Sequence, residues 1–199
     1  MAHRIEFYFD FVSPYTYLAS TQIARIAAAA DAEVVYTPFR ILELMQMVGN
    51  RPTTVECKSK SRYATADLGR WAARYKVKIQ PNPKLRSFDY NELRQAALVA
   101  IEQGRAAALV HAVLRAVWAD TIDLTEKPAR IGLLDQAGFD GARLLEQAGQ
   151  PEYAAKLDET TKAAAERGVF GSPAFFVGEQ LFFGNDRLDF LADALQSAA

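Results

Sequence analysis

The sequence holds a single cysteine, Cys57, and two histidines, His3 and His111. One cysteine excludes an intramolecular disulfide and a zinc knuckle. The histidines are far apart in sequence. The carboxylates are plentiful but follow no ligand spacing, so no structural or catalytic metal is expected. Neither sign of charge is in excess: 23 Lys and Arg stand against 24 Asp and Glu, and the basic residues are scattered. That balance speaks against a nucleic-acid partner and against a polybasic membrane anchor. No apolar run is long enough to span a bilayer. Met1-Ala2-His3-Arg4 leads into a strand with no signal-like segment, so a cytoplasmic location is expected.

What is present suits an ordinary globular chain. Half of the 199 residues are hydrophobic, enough for one domain with a good core and an inserted subdomain. Ile5 to Phe11 is an apolar run that reads as a buried strand. Tyr15 to Ala30 is alanine-rich, with Leu18, Ile23 and Ile26 at helical spacing. Glu33 to Phe39 carries the β-branched and aromatic residues of a second strand. A strand-helix-strand unit this short predicts a right-handed crossover with parallel strands.

Residues 40–167 are patterned almost wholly as helix. Helices are predicted over Ile41–Val48, Ser61–Tyr75 and Asn91–Trp118, the last with a possible interruption at Gly104. Shorter ones follow over 127–137, 141–148 and 151–167. Gly49-Asn50-Arg51-Pro52 and Gln80-Pro81-Asn82-Pro83 read as loops. Strands return with Ala174–Val177 and Gln180–Phe183, joined by a Gly178-Glu179 turn. A last helix follows, with Asn185 or Asp186 as its N-cap. The order is βαβ, helical insertion, ββα. This is an α/β, thioredoxin-like fold in which 1–39 and 168–199 form the thioredoxin-like part and 40–167 a large all-helical insertion.

Ser13-Pro14 is the stretch around which the chemistry gathers. Ser is a favoured N-cap and Pro is favoured at the first helical position. The Ser13 hydroxyl should therefore lie at a helix N-terminus just past a strand end, where free N–H groups and partial positive charge favour an anion such as a thiolate. Ser13 is either only a cap or the centre of such a site. A thiol–disulfide oxidoreductase needs Cys-x-x-Cys at this turn. Here the four positions are Ser13-Pro14-Tyr15-Thr16, so any sulfur must arrive on a bound small molecule. Pro173, after Ser172 and before the third strand, is expected to be cis, which leaves the Ser172 backbone free to pair with an extended ligand. The helix that starts near Asn185 can hold a carboxylate and Asp186 can accept from an ammonium. Together they suit the zwitterionic end of a peptide such as glutathione, although a plain cap explains them as well.

Four segments, Phe9-Asp10-Phe11-Val12-Ser13-Pro14-Tyr15, Asp67-Leu68-Gly69-Arg70-Trp71-Ala72, Val169-Phe170-Gly171-Ser172-Pro173 and Phe183-Gly184-Asn185-Asp186-Arg187-Leu188, carry a family resemblance. In order and over essentially the whole chain, they resemble the 2-hydroxychromene-2-carboxylate isomerase family. That family is similar to kappa-class glutathione transferases within the DsbA-like branch of the thioredoxin superfamily. The resemblance implies glutathione as cofactor, a small aromatic or electrophilic substrate and a homodimer. It implies that Ser13 stabilises the glutathione thiolate, that Ser172 beside Pro173 pairs with the cysteinyl part, and that Asn185 and Asp186 take the γ-glutamyl group. Phe183, Gly184 and Asn50 complete the glutathione set. Phe39, Gly49, Asn50, Arg51, Lys60 and Tyr63 form the implied substrate side, with Arg51 or Lys60 holding a carboxylate. The sequence departs from the family in having Ser172 before the proline, where an aliphatic residue is usual, and Ala174 after it, where Thr is usual. Ile79 to Phe88 matches no family pattern and is expected to border the second-substrate pocket.

The implied reaction is addition of the thiolate to a chromene carboxylate, ring opening, bond rotation and expulsion of glutathione, giving trans-o-hydroxybenzylidenepyruvate. An ordinary thiol titrates near about 8.5, so lowering it by a unit or two makes thiolate dominant at neutral pH. A glutathione transferase and a non-catalytic glutathione binder share the same grip on the tripeptide and stay open from sequence. A dithiol oxidoreductase does not survive the missing cysteines.

Overall fold

The structure is a computed structural model and describes residues 3–197. Strand β1 (His3–Phe9) lies at the centre of the sheet. It pairs in parallel with β2 (Ala32–Pro38), aligning Phe7 with Tyr36, and antiparallel with β3 (Ala174–Val177), aligning Phe7 with Phe175. β4 (Gln180–Phe183) adds to the other side of β3, giving the order β2-β1-β3-β4. A central strand is covered on both faces and therefore reads as a continuous apolar run. Phe7, Phe9 and Phe175 have no exposed surface, and the Phe7 and Phe175 rings stack at 4.8 Å.

β1 ends two residues earlier than the sequence predicts, because Asp10 turns the chain. Its carboxylate accepts from the Val12 N–H at 3.3 Å, and its carbonyl accepts from the Ser13 N–H at 3.3 Å. Asp side chains bond the backbone two residues on and so end strands in this way. Phe11 lies in the turn, buried. Helix α1 (Pro14–Ala29) follows at once and crosses back to β2.

Helices occupy the span between β2 and β3. α2 (Ile41–Met47) and a short α3 (Thr53–Glu56) lead to α4 (Lys58–Tyr75), which starts three residues before the predicted Ser61. Nothing in the periodicity marked α3, a single turn. The long helix predicted over 91–118 is two, α5 (Asn91–Glu102) and α6 (Ala106–Trp118), because Gly104 takes φ +67° and reverses the chain. α7 (Lys127–Gln136), α8 (Gly141–Ala148) and α9 (Pro151–Glu166) complete the span. α6 packs on α1 and α5 on β2. One continuous apolar cluster joins Phe7 and Phe9 of the sheet to Leu93, Val99, Val113 and Leu114 of the insertion. The boundaries 1–39, 40–167 and 168–199 thus follow the path of the chain, while the core runs across them; residues 1, 2, 198 and 199 lie outside the described residues. A smaller cluster, with Tyr8, Phe39, Leu44 and Phe176, fills the opposite face of the sheet.

The last helix also differs from expectation. Asn185–Arg187 is a 3-10 turn, and α10 (Leu188–Ser197) begins after it. Neither Asn185 nor Asp186 caps it. Gly184 turns the chain at φ +98°, and a Cβ there would meet the Asp186 Oδ1 at 2.4 Å.

The packing of α7 on α8 yields a direct test. A Cβ on Gly141 would sit 2.5 Å from the Ile131 carbonyl oxygen and 3.1 Å from its Cα, both backbone. Gly141→Ala should lower unfolding stability by about 1–3 kcal/mol, as overpacking typically does. Urea unfolding with an unchanged midpoint would show that the two helices can separate freely.

Candidate functional site

The turn after β1 meets the loop before β3 at the end of the sheet. Ser13 is the N-cap of α1, with φ −97° and ψ 118°, and its Oγ accepts from the Thr16 N–H at 3.3 Å. The same hydroxyl donates to the carbonyl oxygen of Ser172 at 2.8 Å. Ser172 precedes Pro173 through a cis peptide bond, as the sequence predicts. The Ser172 Oγ accepts from the Asp10 N–H at 2.9 Å and lies 2.7 Å from the Thr16 Oγ1. All four residues are buried: Asp10 and Thr16 fully, Ser13 and Ser172 to 7% exposure.

Beneath this knot lies a buried ion pair. The Arg94 guanidinium donates from Nε to Asp10 Oδ1 at 3.0 Å, and from Nη2 to both Asp10 oxygens at 2.8 and 3.0 Å. The Ile41 N–H, at the start of α2, donates to Asp10 Oδ2 at 2.8 Å. Arg94 is held in turn by Asn91, which also accepts from Arg40. Charges this deep persist only when paired and hydrogen-bonded, and here every side of the carboxylate has a donor.

Above the knot a cavity of about 750 Å³ opens between the sheet end and the helices, a size that suits a small-molecule site. Its wall is mainly apolar and aromatic: Val12, Leu68, Trp71, Ile79, Leu85 and Trp118 face it, with Ser13 and Pro173 at its floor. The Trp118 indole is fixed by donating to the Phe11 carbonyl at 2.8 Å. Two carboxylates line the wall, Asp67 and Asp186, and among the described residues no Lys or Arg does. The Tyr15 hydroxyl donates to Asp67 at 3.3 Å. Burial, and then the Asp67 carboxylate, push the Tyr15 phenol up to about 12, so it serves as a donor and not as a base.

The residues singled out by sequence fall into three groups. Ser13, Ser172, Pro173, Phe183, Gly184, Asn185 and Asp186 all line the one cavity. Asn185 is 2% exposed, and its Nδ2 has no hydrogen-bond partner among the described residues, although its backbone carbonyl accepts from the Tyr75 hydroxyl at 2.9 Å. Asp186 pairs with Arg187 at 2.7 Å. Asn50 braces the rim without lining the cavity. Its Nδ2 donates to the Phe170 carbonyl at 2.7 Å, just upstream of Gly171 and Ser172. Gly171 lets the Phe183 ring close over it, since a Cβ there would meet that ring at 2.7 Å.

The structure places most of the implied substrate side apart from the cavity. Phe39 is fully buried in the smaller core cluster, because its N–H continues the ladder to the Phe9 carbonyl and its ring turns inward. Gly49, Arg51, Lys60 and Tyr63 are exposed and do not line the cavity, because α3 and the start of α4 turn them to solvent. Sequence reasoning missed Tyr15, Trp118, Met45 and Ile41 as wall residues. Trp118 sits at the end of an apolar helix and reads as core, and nothing in its segment hinted otherwise. Ile79, Gln80, Pro81 and Leu85 line the cavity, in the stretch expected to border it.

Comparison with known proteins agrees with this geometry. The DSBA-like thioredoxin domain family matches residues 4–196. The chain is 36% identical over 196 residues to a 2-hydroxychromene-2-carboxylate isomerase of Sphingobium xenophagum, covering 98% of this chain and 99% of that protein. It is 28% identical to glutathione S-transferase kappa 1 of Homo sapiens, covering 98% of this chain and 92% of that one. A solved 2-hydroxychromene-2-carboxylate isomerase superposes with a TM-score of 0.88 at 28% identity, covering 98% and 95% of the two chains.

The ion pair beneath the site is testable without a ligand. Arg94→Met leaves the Asp10 charge buried without its main partner and should lower unfolding stability by about 3–5 kcal/mol. Asp10→Asn combined with Arg94→Met removes the stranded charge and should recover roughly half of that loss or more. Urea unfolding in which the double variant is as unstable as Arg94→Met would rule out a stranded charge as the cause.

Proposed function

We propose, on the premise that the chain belongs to the DSBA-like thioredoxin family and within it to the 2-hydroxychromene-2-carboxylate isomerase family, that it is a glutathione-dependent isomerase. Its reaction interconverts 2-hydroxychromene-2-carboxylate, or a related aromatic catabolic intermediate, with trans-o-hydroxybenzylidenepyruvate. The observation that carries this reading is a hydroxyl-lined helix N-terminus, without cysteine, at the floor of an apolar aromatic cavity. A site built to stabilise a thiolate and holding no thiol of its own requires a ligand that brings one.

The residues present fit glutathione. Asn185 offers a buried Nδ2 donor that no group among the described residues uses. The Ser172 N–H finds no partner among the described residues and stands beside the cis Pro173. Ser13, Ser172 and Pro173 would hold the cysteinyl part, and Phe183, Gly184, Asn185 and Asp186 the γ-glutamyl part. Asn50 would act from the rim through Phe170. When bound, glutathione supplies a nucleophilic thiolate that adds reversibly to the electrophilic carbon and is regenerated.

The protein's own part is to hold charge and exclude water. The first turn of α1 turns the positive end of its dipole to the floor of the cleft. The Ser13 hydroxyl turns from the Ser172 carbonyl to an anion placed there. Trp71, Trp118 and Tyr15 give flat apolar surfaces for a bicyclic aromatic substrate. A dry wall strengthens each of these dipoles relative to water. A cytoplasmic location and a homodimer belong to this reading as well.

The test is an absorbance time course with 2-hydroxychromene-2-carboxylate, with and without glutathione, while free thiol is counted in parallel. Conversion that needs glutathione and leaves the thiol count unchanged is expected. Ser13→Ala should slow it by about 10–100-fold, the value of one hydrogen bond to a charged group. Steady loss of thiol would favour a transferase, a reading to which the kappa-class relative lends support. Binding of glutathione without turnover would leave only a binder.

A further inference from the structure

Counting the protons at the floor of the cleft shows one hydroxyl hydrogen without a place. The Ser13 hydroxyl has a single hydrogen, and it goes to the Ser172 carbonyl at 2.8 Å. Thr16 has no exposed surface, and its hydroxyl meets one partner, the Ser172 Oγ at 2.7 Å. Either hydroxyl could donate across that contact on distance alone. If Ser172 donated, the Thr16 hydrogen would be buried with no acceptor, an arrangement that proteins avoid. Thr16 therefore donates. The Ser172 Oγ also accepts from the Asp10 N–H at 2.9 Å. A hydroxyl oxygen has two acceptor positions and one hydrogen. Both acceptor positions of Ser172 are filled, and its hydrogen is left over. Ser172 lines the cleft and is 7% exposed as a residue.

We infer that the Ser172 hydroxyl is a second donor to the ligand's thiolate, acting beside Ser13. The inference rests on the reading of the cleft as a glutathione site. The network leaves Ser172 nothing else to do with its hydrogen. Its partners also restrict where that hydrogen is, since the Asp10 N–H and the Thr16 hydroxyl take the other two positions around the oxygen. The Ser13 hydroxyl must leave an acceptor to reach a ligand, whereas the Ser172 hydroxyl leaves none. The other titratable groups at the cleft are Tyr15, Asp67 and Asp186 on the wall, with the Asp10–Arg94 pair beneath the floor.

The test is the pKa of the glutathione thiol in the complex, read from thiolate ultraviolet absorbance as pH is varied. Binding is followed separately through the fluorescence of Trp71 and Trp118. Ser172→Ala should raise the bound thiol pKa by about one unit, the size of a hydrogen bond to an anion. Ser172→Thr should keep the native value. Thr16→Val removes a neighbour of Ser172 but not its free hydrogen, and should shift the pKa by less than half as much as Ser172→Ala. If Ser172→Ala does not fold, Ser172→Val against Ser172→Thr makes the same comparison at matched shape. A Ser172→Ala complex that titrates like the native one overturns the inference, as does a Thr16→Val complex that shifts equally. Native protein that fails to bind glutathione overturns the parent reading and this inference with it. Native protein that binds with a lowered thiol pKa, insensitive to position 172, overturns this inference alone.

Discussion

Asp10 is a charged residue with no exposed surface, and the shape of the cleft depends on how that charge is held. Its carboxylate takes the Arg94 guanidinium from α5, the Ile41 N–H from α2 and the Val12 N–H from the turn. Its own N–H goes to the Ser172 Oγ and its carbonyl takes the Ser13 N–H. One residue thus ties β1, the helical insertion and the loop before β3 to a single point. Desolvating both ions offsets much of their attraction, so a pair of this kind adds little net stability. Its consequence is geometric. An apolar pair of equal volume would fill the space, but it would leave the Val12 and Ile41 N–H groups without the acceptor that sets their direction.

That fixed point explains why the insertion can be almost wholly helical and still form half of the cleft. α2 starts where its first N–H meets Asp10, and α5 is anchored by Arg94. α6 ends at Trp118, whose indole N–H is held by the Phe11 carbonyl in the same turn. The helices deliver apolar walls, and the sheet delivers a polar floor. With no Lys or Arg lining the cavity among the described residues, the positive potential at the floor comes from the α1 N-terminus and from oriented N–H and O–H groups. Dipoles of this kind stay in place as an anion arrives, whereas a flexible cation would have to be desolvated and ordered.

Local rules made the floor of the site legible from sequence. Ser-Pro after an apolar run marks a strand end, a cap and a helix start, and Ser13 occupies that position. Gly-Ser-Pro ahead of an apolar run marked the facing loop, and the Phe-Gly-Asn-Asp run marked the third side. What stayed hidden depends on distance in the fold. Asp10 and Arg94 are 84 positions apart, and neither looks unusual in its own segment. Phe39 looked available because it ends a strand, yet its ring closes the smaller core cluster. Lys60 and Tyr63 stand next to Ser61 and Ala64, which do face the cleft, and one residue step turns a side chain by more than a quarter of a turn. The amphipathic signal of α4 is too shallow to tell which side faces inward, since few of its residues are buried. The break at Gly104 was flagged by the glycine itself, whereas the 3-10 turn at Asn185 is a backbone choice that periodicity does not reveal.

A thioredoxin-like site without cysteines has a different physical task from one that has them. A dithiol site must stabilise two covalent states of its own chain, and its loops must tolerate the change in sulfur position between them. When the sulfur is carried by a ligand, the protein keeps one covalent state, and the same loops can be locked. Here the lock consists of hydroxyls in place of sulfurs: Ser13, Thr16 and Ser172 bond to one another, to backbone groups and, through the Asp10 N–H, to the residue that anchors the insertion. Such a network raises the penalty for misplacing any single member, because each lost partner strands a buried polar group. Apart from the Ser13 hydroxyl, which turns to the ligand, the environment of an arriving thiolate is set before binding, which is the condition under which fixed dipoles lower a reaction barrier most effectively.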